Sequence, residues 1–200
     1  GSNSNLKKQD VKKAAGIIAK SSCVVLQLEI PIQTVEYSVK LADSLNIPVV
    51  LNPAPARKIP DDILKKVKIL TPNETETEIL TGIPMKNDRD CKKASDLLRK
   101  KGVKVVIITL GKRGVFINSK EYIGIVPTYR VKPVDTVAAG DAFTGGLSYA
   151  LSCGKKIVDA VKYANAVASL SVTRMGAQSS MPTKKEVEKF IRKRLRRLEK

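Results

Sequence analysis

Apolar residues recur along this chain at two periods. Short, nearly continuous apolar runs of strand length occupy residues 23–28, 49–51, 68–70 and 103–109, the last being the most apolar. Between them, apolar positions return at helical spacing over 8–20, 33–46, 61–66, 74–80 and 90–101. Asn73 stands where an N-cap belongs, and Gly82 and Gly102 where helices should close. Gly111-Lys112-Arg113-Gly114 forms a turn into 115–118, which pairs as a hairpin with 121–126. A further strand is expected at 129–132, then helices over 139–151, 158–174 and 184 to the end. Alternating strand and helix is the pattern of βαβ units, so the expected fold is α/β: a mostly parallel sheet flanked by helices in three layers. No repeat, low-complexity tract or linker divides the chain, and residues 1–200 are expected to form one domain.

Open α/β sheets bind ligands outside the carboxyl ends of their strands. The unusual polar and glycine-rich segments fall there: Glu29, then 52–56, 73–76, 109–114 and 135–141. Five such segments at one sheet edge exceed what a core needs, and mark a site.

Composition narrows the chemistry. The chain has no histidine, which excludes Ser-His-Asp and Cys-His triads and histidine-metal sites. Cys23, Cys91 and Cys153 are unpaired in spacing and read as buried, reduced thiols. No apolar run reaches the roughly 18 residues of a membrane span, and the expectation is a soluble, cytoplasmic protein without a membrane partner. A net charge of +18 raises the question of nucleic acid. Aromatic residues, at 4%, leave little for base stacking, however. The basic tail, including Lys184, Lys185, Arg192, Lys193, Arg194, Arg196, Arg197 and Lys200, also carries Val187, Phe190, Ile191, Leu195 and Leu198 at helical spacing. It reads as an amphipathic closing helix with a solvated basic face, and no nucleic-acid partner is expected.

The segment Ala138-Ala139-Gly140-Asp141 opens a helix rich in small residues, Ala142, Thr144, Gly145 and Gly146. Small residues let backbone amides approach an anion, and a helix N-terminus adds partial positive charge. A carboxylate in that first turn can accept an alcohol proton while the amides stabilise phosphoryl charge. Close packing of a helix start is the other explanation of the same residues.

The run from Asp135 through Thr136, Val137, Ala138, Ala139, Gly140, Asp141 and Ala142 to Phe143 closely resembles the C-terminal signature of the ribokinase-like (PfkB) carbohydrate kinases. Further stretches agree in order and spacing: Gln27-Leu28-Glu29, Asn52-Pro53-Ala54-Pro55, Thr71-Pro72-Asn73-Glu74-Thr75-Glu76, Thr109-Leu110-Gly111-Lys112-Arg113-Gly114, and the run from Ser171 to Gln178. The resemblance covers essentially the whole chain. It implies ATP-dependent phosphorylation of a sugar, D-ribose to D-ribose 5-phosphate, with Asp141 as catalytic base and Ala139 and Gly140 as the anion hole. It also implies Asn73 and Glu76 at the ATP phosphates and Mg²⁺, the latter bound indirectly. Thr109, Leu110, Gly111, Lys112, Arg113 and Gly114 would hold the nucleotide, with Gly140, and Asn165 would lie beside the adenine. Glu29 and Asp141 would bind substrate. Asp135, Val137, Ser171, Arg174, Gly176 and Ser180 would surround a K⁺ ion, several through backbone carbonyls. Glu29 could instead cap a loop, Asp135 form a turn, and Lys112 and Arg113 be solvated turn residues.

The family's sugar-binding N-terminal third, with its β-lid, is not visible in this sequence. Gly1-Ser2-Asn3-Ser4-Asn5-Leu6 resembles a mid-family Gly-x-Asn segment, and the chain reads as part of such a kinase. The intact protein is expected to be a homodimer. A kinase for another sugar or a nucleoside, and a nucleotide-binding module without catalysis, remain alternatives at this point.

Overall fold

The computed structural model describes residues 1–198, with side chains described through Arg194. Its contacts divide the chain into two compact units, residues 1–110 with 116–125, and 111–115 with 126 onward. The elements in chain order are α1 (Lys8–Lys13), α2 (Ala15–Ile18), β1 (Val24–Leu26), α3 (Ile32–Ser44), β2 (Val49–Leu51), α4 (Asp61–Leu64), β3 (Ile69–Leu70), α5 (Glu74–Thr81), α6 (Asp88–Lys100) and β4 (Val105–Thr109). They continue with β5 (Val115–Asn118), β6 (Ile123–Val126), α7 (Ala139–Ser152), α8 (Ile157–Ser171) and α9 (Lys184–Leu198). Among these residues no helix is long and apolar enough to cross a membrane.

The strands form one six-stranded sheet in chain order, β1-β2-β3-β4-β5-β6, and β1 to β4 are parallel. Consecutive parallel neighbours with right-handed crossovers deliver their connecting helices to one face. In the first unit Leu51, Leu70, Val106 and Ile108 accordingly share a core with Val35, Val39, Ile63, Leu64, Cys91, Ala94 and Leu98 of α3, α4 and α6. The alternate strand residues Val50, Ile69 and Ile107 face the other way and are buried too, whereas Val25 on the edge strand is 45% exposed. Strands buried on both faces explain why their sequences are continuous apolar runs.

The expected elements are present with shifted ends, and three expectations need correction. The helix anticipated over 8–20 breaks at Ala14. There the amides of Ala14 and Ile17 bond three residues back, to Val11 and Ala14 carbonyls at 3.1 and 2.9 Å, and tighten the turn. The strand anticipated at 129–132 does not form. Pro127 and Pro133 bracket it, and neither has an amide with which to extend a ladder into or out of the segment. Side chains hold this segment instead. Tyr129 meets Phe190 edge-on with centroids 5.2 Å apart, and Arg194 donates to the Arg130 carbonyl at 2.7 Å. Finally, Cys91 alone of the three thiols is buried; Cys23 is partly exposed and Cys153, at the end of α7, is exposed.

The closing helix is amphipathic as expected. Val187 is buried and Phe190 and Ile191 partly so, while Lys184, Lys185, Arg192 and Lys193 are exposed. Arg194 departs from the basic face by lying 5.1 Å over the Phe190 ring. The side chains of Leu195, Arg196, Arg197 and Leu198, together with Lys200, lie outside the described residues.

Candidate active site

The first unit contributes the carboxyl ends of β1 to β4. Asn73 follows β3 and bridges Thr109 at the end of β4. It also caps α5 through a reciprocal pair of bonds. Glu76 N–H donates to Asn73 Oδ1 at 2.8 Å, and Asn73 N–H donates to Glu76 Oε2 at 2.8 Å. A third bond runs from Asn73 Nδ2 to Glu76 Oε1 at 2.9 Å. This capping box, closed at the other end by Gly82 with φ 72°, is a sufficient structural reason for both residues. It also presents a carboxylate in a fixed place. Glu76 is 8% exposed, and burial pushes its pKa up against the lowering effect of the Asn73 amide. Glu29 lies after β1, exposed, and accepts from Asn3 Nδ2 at 3.3 Å.

The second unit contains the turn Gly111–Arg113 and the region from Asp135 to Ser180. Gly114 has φ 97°, and a Cβ there would lie 2.3 Å from the Val126 carbonyl oxygen and 2.8 Å from Pro127 Cα. Only glycine lets the turn approach that segment. Asn165, 3% exposed within α8, donates from Nδ2 to the Pro127 carbonyl at 3.1 Å. Two candidate nucleotide elements distant in sequence thus meet at Pro127. Lys112 is exposed, and so is Arg113.

Residues matched to a cation site also gather. Asp135 accepts from Val137 N–H through Oδ1 and from Gly176 N–H through Oδ2, both at 2.9 Å. These bonds, the Val137 amide first, hold its carboxyl below the usual range. Val134 and Asp135 amides donate to the Val172 carbonyl at the end of α8, at 2.7 and 3.2 Å. Ser171 and Ser180 hydroxyls are 2.9 Å apart, and Arg174 N–H donates to the Ser171 carbonyl at 3.0 Å.

The Arg174 guanidinium bonds Glu186, which also accepts from Thr183 and closes the first turn of α9. The Thr183 amide, then Arg174, then the Thr183 hydroxyl lower the Glu186 pKa to about 2 from an ordinary 4.5. A depressed carboxyl stabilises the fold above its unfolded pKa and loses that contribution as pH falls through the folded one. Glu186→Gln should therefore lower the melting temperature at neutral pH. The gap to the wild-type chain should shrink as pH falls from 4.5 to about 2, read by circular dichroism. A pH-independent gap would contradict this origin.

Asp141 occupies the first turn of α7, exposed, after Ala138 in the left-handed conformation at φ 60°. A non-glycine residue held there is uncommon, and it turns the chain so that a helix begins abruptly. The first amides of α7 have no intrahelical partners. Ala139 N–H makes one long bond, 3.3 Å, to the Thr136 carbonyl. Asp141 also lines a groove of about 270 Å³ within this unit, together with Gly145, Tyr149, Tyr163, Met181 and Lys184 among others. The sequence reading missed the groove, although Asp141, Gly145 and Tyr149 are spaced by four and so share a helix face.

Residues 1–184 match the model of the pfkB family carbohydrate kinases. The chain belongs to that family. It is 42% identical over 191 residues to the ribokinase of Haemophilus influenzae, covering 96% of this chain and 62% of that protein. A crystal structure of the ribokinase of Thermotoga maritima superposes with a TM-score of 0.86 at 39% identity, over 95% of this chain and 62% of that one. The ribokinase of Arabidopsis thaliana, solved with ribose and ATP, gives 0.85 at 32% identity over 92% and 59%. This pfkB-family chain therefore has the ribokinase-like fold and spans about 62% of the length of the Haemophilus relative.

Proposed function

We propose that the chain is the nucleotide-binding and catalytic α/β domain of a kinase that transfers the terminal phosphoryl group of ATP to D-ribose, giving D-ribose 5-phosphate. The observation that carries this reading is Asp141, exposed in the first turn of a helix whose start follows a left-handed residue. Its carboxylate accepts the proton of the attacking hydroxyl. The amides of Gly140 and Ala139 face the anionic charge of transfer, and the long Ala139 bond to Thr136 is a weak competitor. Asn73 serves the phosphates, and Thr109, Leu110, Gly111, Lys112, Arg113 and Gly114 with Asn165 serve the nucleotide. Glu29 serves the sugar.

The donor set fits Mg²⁺ held indirectly. Among the described residues no three His, Cys, Asp or Glu side chains come together as a metal cage. A buried Glu76 beside an amide suits a small cation that keeps its waters and phosphate oxygens. When bound, that cation would offset phosphate charge. The Asp135, Gly176, Ser171 and Ser180 region, rich in oxygen atoms and free of histidine, fits K⁺, with Val137 and Arg174 contributing backbone.

The test is ³¹P NMR of the protein with Mg²⁺ and ATP against ribose, fructose and a nucleoside, with and without K⁺. Ribose 5-phosphate, formed faster with K⁺, is the expected product. Turnover of another acceptor alone would redirect the reading to that substrate. Nucleotide binding without turnover of any acceptor would favour a binding module.

A further inference from the structure

The residues matched to the K⁺ site come from two stretches, one around Asp135 and one from Ser171 to Ser180. The Val134 and Asp135 amides join them by donating to the Val172 carbonyl, and Gly176 N–H by donating to Asp135 Oδ2. Within the second stretch the Ser171 and Ser180 hydroxyls meet at 2.9 Å. Backbone ligands are only as well placed as the segments that carry them, so the groups that fix those segments from outside matter.

Both stretches are tied to α9. Ahead of Asp135, Tyr129 meets the Phe190 ring at 5.2 Å and the Arg130 carbonyl accepts from Arg194 at 2.7 Å. In the second stretch, the Arg174 guanidinium donates from Nη2 to Glu186 Oε1 at 2.5 Å. Val187, the next residue, is buried and seats the helix.

Glu186 divides its oxygens between two tasks. Oε2 accepts from the Thr183 amide at 2.7 Å and the Thr183 hydroxyl at 2.9 Å, which caps α9. Capping asks for no more than that oxygen. Oε1 goes to Arg174, twelve residues back. As a stabiliser the ion pair contributes little, because its side chains are 34% and 43% exposed to water. What it does fix is geometry. The Arg174 amide donates to the Ser171 carbonyl at 3.0 Å, so an arginine anchored on Glu186 also pins the turn that begins at Ser171.

We propose that Glu186 is a positioning residue for the monovalent cation: through the Arg174 guanidinium it holds the backbone of residues 171–176 in the conformation that binds K⁺. Helix α9 thereby braces the site. The inference rests on the reading of this region as the K⁺ site. A field effect of the carboxylate is separable by sign. Acting through charge alone, loss of Glu186 would weaken a cation and loss of the Arg174 charge would strengthen it. Positioning makes both losses weaken it, because the Arg174 main chain stays and its anchor goes.

The experiment uses Tl⁺ as the probe for K⁺, followed by ²⁰⁵Tl NMR in nitrate buffer of constant ionic strength, with a non-hydrolysable ATP analogue and with K⁺ as competitor. The proteins are the wild-type chain, Glu186→Gln, Arg174→Met, the double variant, Thr183→Ala and Asp135→Asn. Gln still serves in a capping box but loses the carboxylate that Arg174 needs. Glu186→Gln and Arg174→Met should each weaken Tl⁺ by about tenfold, as loss of an outer partner of a metal site does. The double variant should be no weaker than either single one, since each removes the same contact. Thr183→Ala should lower the melting temperature through the lost cap, with Tl⁺ affinity within about twofold of wild type.

Opposite signs in Glu186→Gln and Arg174→Met would assign the effect to charge and overturn the proposal. An equal loss in Thr183→Ala and Glu186→Gln would make the cap the cause, and overturn it too. Affinity unmoved in the Glu186 and Arg174 variants but weakened by Asp135→Asn overturns this inference and leaves the K⁺ reading standing. Affinity insensitive to Asp135→Asn as well overturns both. Should Arg174→Met not fold, Arg174→Lys takes its place. It keeps the charge without the planar fork, so a field effect predicts no change and positioning a loss.

Discussion

Replacing Asp141 with Asn should lower ribose phosphorylation by roughly 10³-fold, within the range of a lost general base, while ATP affinity changes little. The two side chains have the same shape, and the carboxylate is exposed in the first turn of α7, so no packing is lost. What changes is proton affinity, since an amide cannot take up the hydroxyl proton at neutral pH. The helix start should survive. Asn loses the favourable interaction of a negative charge with the N-terminal end of the helix, a few tenths of a kcal/mol at an exposed site. A coupled assay of ADP release and calorimetric titration of ATP separate the two quantities. Turnover near the wild-type rate would remove Asp141 from the mechanism, and lost ATP binding would make it a nucleotide residue instead.

The largest stability effect should come from Gly114→Ala, about 3 kcal/mol through combined backbone strain and overlap. For a chain of this size that is a fall of roughly 6–12 °C in melting temperature. The added Cβ would meet the Val126 carbonyl oxygen at 2.3 Å, Pro127 Cα at 2.8 Å and Thr128 N at 3.0 Å. All three are backbone atoms, so no side chain can rotate aside. Gly111→Ala is the control. Its φ of 54° is also left-handed, but nothing lies within 4 Å of its Cβ position. That substitution should cost about 1–2 kcal/mol from conformation alone. Equal losses in the two variants would show that the turn, not the close approach, sets the requirement. Because Pro127 also accepts from Asn165, Gly114→Ala should weaken ATP binding more than Gly111→Ala does.

Much of this molecule is local, and local features are legible. The run Val49–Leu51 is a strand at the anticipated residues, short, β-branched at Val49 and Val50, and buried throughout as a strand inside a sheet covered on both faces should be. Asn73, Glu76 and Gly82 mark the two ends of α5 because a capping box and a left-handed glycine each involve residues within a turn of one another. Asn87 shows the limit of such reading. Helical spacing alone starts α6 at Asp90, but the Asn87 side chain takes the Arg89 and Asp90 amides and begins the helix at Asp88.

Features that depend on distant partners were not legible. Prolines flank 129–132 in the sequence, but nothing there announces that Phe190 and Arg194 arrive to support the segment in place of a ladder. The anticipated fifth sheet-end segment, 135–141, follows no strand among the described residues; Val172, at the end of α8, and Gly176, in the loop after it, anchor its start. Its motif was recognised, but the Asp135–Gly176 bond spans 41 residues.

Residue order thus settles the α/β class, the helix caps and the types of residue at the candidate site, since each reflects periodicity or short-range hydrogen bonding. Tertiary packing decides which polar groups end without partners. Asn52 is one asparagine among several in the sequence, and only three strand ends brought into register, with the loop after it tied down, leave its oxygen buried and unpaired. Burial and satisfaction are properties of neighbours contributed by the whole chain, and a sequence pattern has no access to them.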